Sequence, residues 1–437
     1  MRELTVRSSQ RLDEALHEAT LDDGLPVVVV PKPGYLKSVA LLTTRYGAVD
    51  QTFTLPGEAA ARVTPAGIAH FLEHKLFEDQ AGDVFDQFAR VGAAANAYTT
   101  HHETGYYFAT SERFWRCMDL LLDFVTDPYF TQEQIEKERQ VIAQEIRMYL
   151  DDPGSRTHQN LLRGLYHRHP VREEIPGTLA SIQQIDKPLL ELCHRAFYRP
   201  QDMLLVVAGD LDPREVLERL ETSAAARRER RGQAAPQPGA GVTRADVDEP
   251  TSVVEARVDE AQPVASPRVL IGWKDSPVAP GQALLRRSLE QGLLLELLFG
   301  RSTAFYEAHY AAGLLDGSFS HGWSGGRSGY AHAVVGGETR DPDAFVAAVA
   351  ARVREARAQG LDRDDFARLR NRAYGSFVRS WNGVEQVVSQ VTSARLNGWD
   401  VLGYVEAVEA VKLGELEAGL ELLLDDAKRV VSVVRPV

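Results

Sequence analysis

Residues 64–78 read Thr64-Pro65-Ala66-Gly67-Ile68-Ala69-His70-Phe71-Leu72-Glu73-His74-Lys75-Leu76-Phe77-Glu78. Threonine is a good N-cap and proline suits the first helical position, so the segment predicts a helix that starts at Thr64-Pro65. Phe71, Leu72, Leu76 and Phe77 are apolar, so this helix is partly buried and its polar residues need partners. His70 and His74 are four residues apart. Their imidazoles therefore leave one face of the helix a turn apart, a spacing at which two nitrogens can share one metal ion. Glu73 stands three residues from His70 and next to His74, where it can reach a metal-bound water.

This is the inverted H-x-x-E-H arrangement of zinc peptidases. A catalytic zinc takes three protein ligands and keeps a fourth position for water, so two histidines leave one ligand to be found. A second helix, predicted over Thr131 to Leu150, offers it. Glu138 and Glu145 lie seven residues apart on one face, and either can reach the metal; Glu133 and Glu136 point elsewhere on the wheel. Zinc lowers the pKa of its water to about 7. Glu73 then takes that proton and later gives it to the leaving amine, while a cationic or phenolic donor has to hold the oxyanion. The competing reading is a chance H-x-x-E-H on a solvated face, in a chain with 12 histidines. The Thr-Pro start, the apolar neighbours and the acids on a second helix favour the metal. His101-His102 lies in a strand or loop, His167 and His169 flank a proline loop, and His194, His309, His321 and His332 have no partner at ligand spacing, so the bland reading is favoured for all of them.

Outward from this motif the chain alternates strands and helices. Val27–Val30, Val39–Thr44, Asn96–Thr110 and Met203–Ala208 read as strands, with a further helix near Phe114. Residues 223–247 (SAAARRERRGQAAPQPGAGVTRADV) have no hydrophobic periodicity and carry Pro, Gly and clustered Arg, as a linker does. Beyond it the pattern repeats: Ser252–Val258, Arg268–Trp273 and Gly329–Val335 are strand-like, and 284–299, 343–358 and 362–380 are helical. Setting Thr131–Arg139 against Asp362–Arg370 matches Glu138 to Leu369 and Glu145 to Ser376, so the repeat keeps the apolar pattern and loses the acids. The expectation is a tandem duplication with chemistry in one copy: residues 1–222 a zinc-bearing domain, 223–247 a linker, and 248–437 a homologous domain without zinc ligands.

At 437 residues the chain is long enough for two cores. A formal net charge of -13 disfavours a nucleic-acid partner, because phosphate backbones attract basic surfaces. No run of 18 apolar residues occurs, so no membrane span is expected. Cys117 and Cys193, the two cysteines, sit in no CxxC pattern; read as reduced thiols they fit a cytoplasmic protein.

Taken together, His70-Phe-Leu-Glu-His74, Asn96-Ala-Tyr-Thr-Thr100, Glu103-Thr-Gly-Tyr106, Glu138-Arg-Gln-Val-Ile-Ala-Gln-Glu145, Phe197-Tyr-Arg-Pro200 and Gly209-Asp-Leu-Asp-Pro213 resemble the insulinase, pitrilysin and mitochondrial processing peptidase family of zinc endopeptidases. The stretch from Gly67 to Glu78 is similar to a bacterial subgroup of short-chain members. The resemblance implies an α+β fold, two tandem homologous domains each with an antiparallel sheet packed by helices. It implies one Zn2+ per chain, with Glu145 as third ligand, Glu138 as a supporting acid and Glu73 as the catalytic base. It implies that Asn96 and Ala97 bind the substrate backbone at a sheet edge, which agrees with strand addition by an extended peptide. Active assemblies of the family also bring an Arg and a Tyr from a second-half domain to hold the substrate carbonyl. Anchored on Gly313-Leu314, those positions here fall on His309 and Asp316. The expected assembly is therefore with a homologous chain that lacks the zinc motif but carries this pair. The alternative is a homodimer in which His309, Arg301 or Tyr310 serves. The leading expectation is an endopeptidase subunit acting on unfolded or short peptides. A non-catalytic assembly subunit and a zinc-binding scaffold without turnover are the competing classes.

Overall fold

The computed structural model describes residues 4–80, 82–230 and 241–437. The chain forms two compact units that interleave in sequence. The first takes residues 1–144, 174–245 and 378–396; the second takes 145–173, 246–377 and 397–437.

The first unit opens with strands β1 (Thr5–Ser9), β2 (Glu14–Thr20), β3 (Pro26–Pro31) and β4 (Ser38–Thr44). Two short ribbons follow, β5 (Thr52–Thr54) with β6 (Arg62–Val63) and β7 (Glu78–Asp79) with β8 (Gly82–Asp83). Next comes the hairpin of β9 (Ala94–Thr99) and β10 (Thr104–Thr110); the segment 96–110, expected as one strand, is bent here by a turn at His101-His102. β11 (Met203–Gly209) completes a seven-stranded sheet in the order β1-β2-β3-β11-β4-β10-β9, and β12 (Thr243–Arg244) adds to β5. Every neighbouring pair in the large sheet is antiparallel except β11 with β3. The central strands are apolar on both faces, which is why they read as unbroken runs rather than alternations: Val27 to Val30 and Leu205 to Ala208 are all buried.

In chain order the helices are α1 (Ile68–Leu76), α2 (Val84–Arg90), α3 (Phe114–Thr126), α4 (Gln132–Asp151), α5 (Pro153–Leu165), α6 (Lys187–Phe197) and α7 (Pro213–Arg230). They continue as α8 (Gln282–Phe299), α9 (Ala304–Ala311), α10 (Pro342–Gln359), α11 (Arg363–Ser380), α12 (Val384–Asn397), α13 (Tyr404–Ala410) and α14 (Leu413–Leu424). Of residues 223–247, 223–230 continue α7 and Thr243–Arg244 is the strand that pairs with β5.

The second unit has β13 (Arg257–Gln262), β14 (Arg268–Lys274), β15 (Ser320–Gly325), β16 (Ala331–Glu338) and β17 (Arg429–Pro436), in the order β13-β17-β14-β16-β15. This repeats β3-β11-β4-β10-β9 strand for strand, down to the single parallel pair, β17 with β13. The expected duplication of an α+β fold is thus present, with β13 beginning at Arg257 where a strand over Ser252–Val258 was expected.

The interleaving comes from helices. α5, from the first half of the sequence, packs on β13, β14 and β17. Gly272 on β14 lets it approach, since a Cβ there would lie 2.9 Å from Leu161. Conversely residues 378–396 join the first unit, where Lys32 Nζ donates to Trp381 O (2.7 Å), Tyr35 Oη to Asn382 O (3.1 Å) and Lys37 pairs with Glu385 (2.7 Å). Among the described residues, no helix is long and apolar enough to cross a membrane.

Candidate metal centre

Helix α1 does not start where its sequence suggests. Thr64 Oγ1 donates to Gln51 O (3.1 Å) instead of capping, and the helix begins at Ile68 behind Gly67. Gly67 has φ +91°, and a Cβ there would lie 2.3 Å from Pro176 O, so both its backbone angle and the close approach of the 176–177 turn select glycine. Ser181 Oγ, donating to Ala66 O (2.8 Å), fastens the same turn to the helix start. Ile68, Ala69, Phe71, Leu72 and Leu76 go into the core, and that packing carries His70 and Glu73 with it, each 8% exposed. The rings of His70 and His74 stand one turn apart with centroids 4.5 Å from each other.

Helix α4 supplies the acids. It is anchored by Arg139, whose buried guanidinium donates to Ile182 O (3.1 Å) and Ile185 O (2.7 Å). The helix runs unbroken through Gln144-Glu145, where the two units divide. The two glutamates that the residue pattern left as alternatives take different positions. Glu138 Oε1 lies 2.9 Å from His74 Nδ1. Glu145 joins His70 and His74 in a group whose ligand atoms all lie within 4.8 Å of one another, and Tyr149 Oη donates to its Oε1 (3.1 Å). Glu136 is exposed and bonds to Gln132 (2.9 Å) and to Arg139, away from the group.

Two imidazoles and one carboxylate are the donor set of a zinc site that keeps an open position, and the residues present fit that ion. Burial, and then the charge of His74, push the His70 imidazole down to about 3, so it stays neutral, the form in which histidine ligates. A carboxylate on Nδ1 of His74 fixes its tautomer and turns Nε2 outward, the orientation that supporting acids give to metal-binding histidines.

Glu73 faces the edge strand. Thr99 Oγ1 on β9 donates to Glu73 Oε2 at 2.5 Å. Asn96 and Ala97 lie on the same strand, opposite Tyr107 and Tyr106, and β9 is the last strand of its sheet. Its outer edge is a row of backbone groups that an extended chain can pair with. Thr99 is the site residue that sequence reasoning missed; its place depends on the register of the hairpin, and only its neighbourhood to Asn96-Ala97 hinted at it.

The remaining histidines stay outside the group. His194 Nε2 lies 2.9 Å from Val125 O, His309 Nδ1 lies 2.8 Å from Phe305 O, and His332 Nδ1 lies 3.0 Å from Tyr166 Oη. Asp316 accepts from Ser318 N (2.9 Å) and Ser318 Oγ (2.5 Å), and Arg301 Nη2 donates to Gly317 O (3.1 Å).

Comparison with known proteins gives a consistent set of likenesses. Residues 57–179 match the family model described as Insulinase (Peptidase family M16), and residues 184–373 match that of the Peptidase M16 inactive domain. The chain is 35% identical over 409 residues to the uncharacterized zinc protease YmfH of Bacillus subtilis, covering 93% of this chain and 94% of that one. Among solved structures it is similar to an M16-like peptidase from Alicyclobacillus acidocaldarius, with TM-score 0.92, 34% identity, and 98% and 100% of the two chains covered. A protease from Helicobacter pylori shares the fold at 18% identity, with TM-score 0.82 over 96% of this chain and 99% of that one. Pitrilysin shares it at 18% identity and TM-score 0.71, with all of this chain matched to 46% of that one.

Proposed function

This chain belongs to the insulinase family of peptidases (M16), and on that premise we propose that it is a zinc-dependent endopeptidase subunit that hydrolyses unfolded or short peptides. The observation that carries the proposal is the group of His70, His74 and Glu145, with ligand atoms within 4.8 Å, beside the buried carboxylate of Glu73. His70, His74 and Glu145 would hold the ion. When bound, zinc makes a water acidic enough to be deprotonated near neutral pH and polarises the scissile carbonyl. Glu73 accepts the proton of the attacking water and returns it to the leaving amine. Glu138 keeps His74 oriented from behind. The substrate lies along β9 as an added strand, with Asn96 and Ala97 pairing to its backbone.

The chain reaches full activity with a homologous partner. In support, the 302–316 segment holds His309 and Asp316 where the family's oxyanion donors are expected, and both are engaged in local hydrogen bonds. A homodimer is the other assembly open to it. Cys117 and Cys193 are both free and buried, which supports a reducing, cytoplasmic setting.

The test is cleavage of a mixed peptide library by the zinc-loaded chain, alone and with candidate homologous chains, with and without chelator, alongside metal analysis. About one zinc per chain is expected. Glu145→Gln should lose the ion, and Glu138→Gln should weaken its binding by about 10- to 100-fold. Chelator-resistant cleavage, or full zinc retention by Glu145→Gln, counts against the proposal.

A further inference from the structure

The carboxylate of Glu73 accepts a hydrogen bond from the strand on which the peptide is proposed to lie. Thr99 Oγ1 donates to Glu73 Oε2 at 2.5 Å, the length of a charge-assisted O–H···O bond. Thr99 is placed by the pairing of its strand. Across the hairpin it stands opposite Thr104, whose hydroxyl lies 3.3 Å away and donates to Tyr46 O (2.8 Å). Tyr46 is fully buried and stacks on Phe197 with ring centroids 4.0 Å apart. A β-branched side chain has few rotamers, so the hydroxyl of Thr99 has little freedom to leave the carboxylate. Thr104 gives its proton to Tyr46 O and Thr99 gives its own to Glu73, so the two hydroxyls are neighbours and it is the hairpin register that carries Thr99 to the base.

We infer that Thr99 is the positioning residue for the Glu73 carboxylate, and that through it the strand taking up the peptide also sets the aim of the base. The inference rests on the peptidase reading above. A carboxylate on a glutamate stem rotates easily about its last torsion. One oxygen anchored to a fixed donor sets the plane of the group, and with it the direction from which the other oxygen meets the water. Ala97 and Thr99 are two residues apart, so their side chains lie on one face of β9. A peptide paired to Asn96-Ala97 settles the same short strand whose third link holds the base. Substrate docking and base alignment are thereby coupled through one hydroxyl, and a misaimed catalytic group costs up to about 100-fold in rate.

The test uses Thr99→Val, which keeps the branched shape without the donor; Thr99→Ser, which keeps the donor without the methyl group; and Thr99→Ala as a second donor-free variant. All are measured zinc-loaded, in the assembly in which the wild type cleaves. Expected for the Val and Ala variants is a fall in kcat of about 10- to 100-fold with KM and zinc content near wild type, and recovery to within about threefold by Ser. Unchanged kcat in both donor-free variants overturns the inference. So does a Ser variant as poor as Val, or loss of zinc along with activity. A thermal-melting cycle over Thr99→Val, Glu73→Leu and the double variant reads the same bond without turnover: a combined shift smaller than the sum supports the link, and an additive one overturns it. If the zinc-loaded wild type cleaves nothing while this cycle shows coupling, the peptidase reading falls and the Thr99–Glu73 link stands.

Discussion

Helix α1 lies against the edge strand β9 in the first unit, and helix α8 lies against the edge strand β15 in the second. From α1, Glu73 meets Thr99 of β9 at 2.5 Å; from α8, Glu296 meets His321 of β15 at 3.4 Å and Arg372 of α11 at 2.8 Å. A polar link from helix to edge strand exists in both, yet the groups differ in kind. One stands beside metal-type donors and the other between an imidazole and the guanidinium of Arg372. The long helices differ in the same sense. On the register that starts α4 at Gln132 and α11 at Arg363, Glu138 beside His74 corresponds to Leu369, 3% exposed in the hydrophobic cluster of the second unit. A buried carboxylate is costly unless it is partnered. Where histidine is present the acid is held, and where it is absent a leucine fills the space. The shared topology therefore needs only the apolar pattern, and the polar set is separable from it.

The comparison breaks first at the two glutamates. Glu73→Gln should reduce peptide cleavage by about 100- to 10,000-fold while keeping zinc, because the amide still accepts a hydrogen bond but takes no proton. Glu296→Gln should leave both zinc content and cleavage close to wild type. A large loss of cleavage in the second variant, measured alongside the first, would mean that the second unit takes part in the chemistry.

A smaller effect probes the matched helix positions by chemical denaturation. Leu369→Glu puts into the second unit the acid that α4 carries, without a histidine to receive it, and should cost about 3–5 kcal/mol. Ser376→Glu, the counterpart of Glu145, lies on an exposed position and should change stability by about 0.5 kcal/mol or less. Equal costs at the two positions would show that the register between α4 and α11 is wrong.

The smallest effect is local and depends on pH. In the metal-free chain the folded His70 stays neutral down to about 3, whereas unfolded histidine takes its proton near 6.5. The unfolded state thus binds more protons in between, and stability around α1 is eroded as pH falls from 6.5. In the second unit burial pushes Glu249 up, but Lys274 and the backbone N–H groups of His167, Arg168 and His169 outweigh it and bring the carboxyl down to about 2. Its contribution is complete above the ordinary carboxylate value of 4.5 and is lost as pH falls from there. Hydrogen exchange at about pH 5 should show α1 less protected than at neutral pH while the 167–169 turn keeps its protection. The opposite order would contradict both assignments.

Much of this architecture was legible from local pattern. The valine run of β3 and the periodic stretches of α4, α8 and α11 sit within a few residues of where their sequences put them. The exceptions have causes. Thr64-Pro65 carries a good start signal for a helix, but Gly67 can take the left-handed angle that the contact with Pro176 demands, so the helix starts three residues later. Asn96–Thr110 is rich in Tyr and Thr on both sides of the turn, and the turn at His101-His102 carries no glycine or proline to announce it. α5 reads as an ordinary amphipathic helix, and nothing in its own residues tells which sheet it covers.

By itself the sequence determined that His70, Glu73 and His74 share one helix, that two glutamates seven apart share another, and that the apolar pattern occurs twice while the acids occur once. Tertiary structure decided the rest. It set Glu138 against His74 and Glu145 in the group with both histidines, brought Thr99 to Glu73, and exchanged α5 and residues 378–396 between the two units. The reason is physical. Spacing along one helix is fixed by the 3.6-residue turn and can be read from neighbours in the chain. Which helix faces which strand, and in what register, is fixed by side-chain packing between segments far apart in sequence, and no local pattern encodes it.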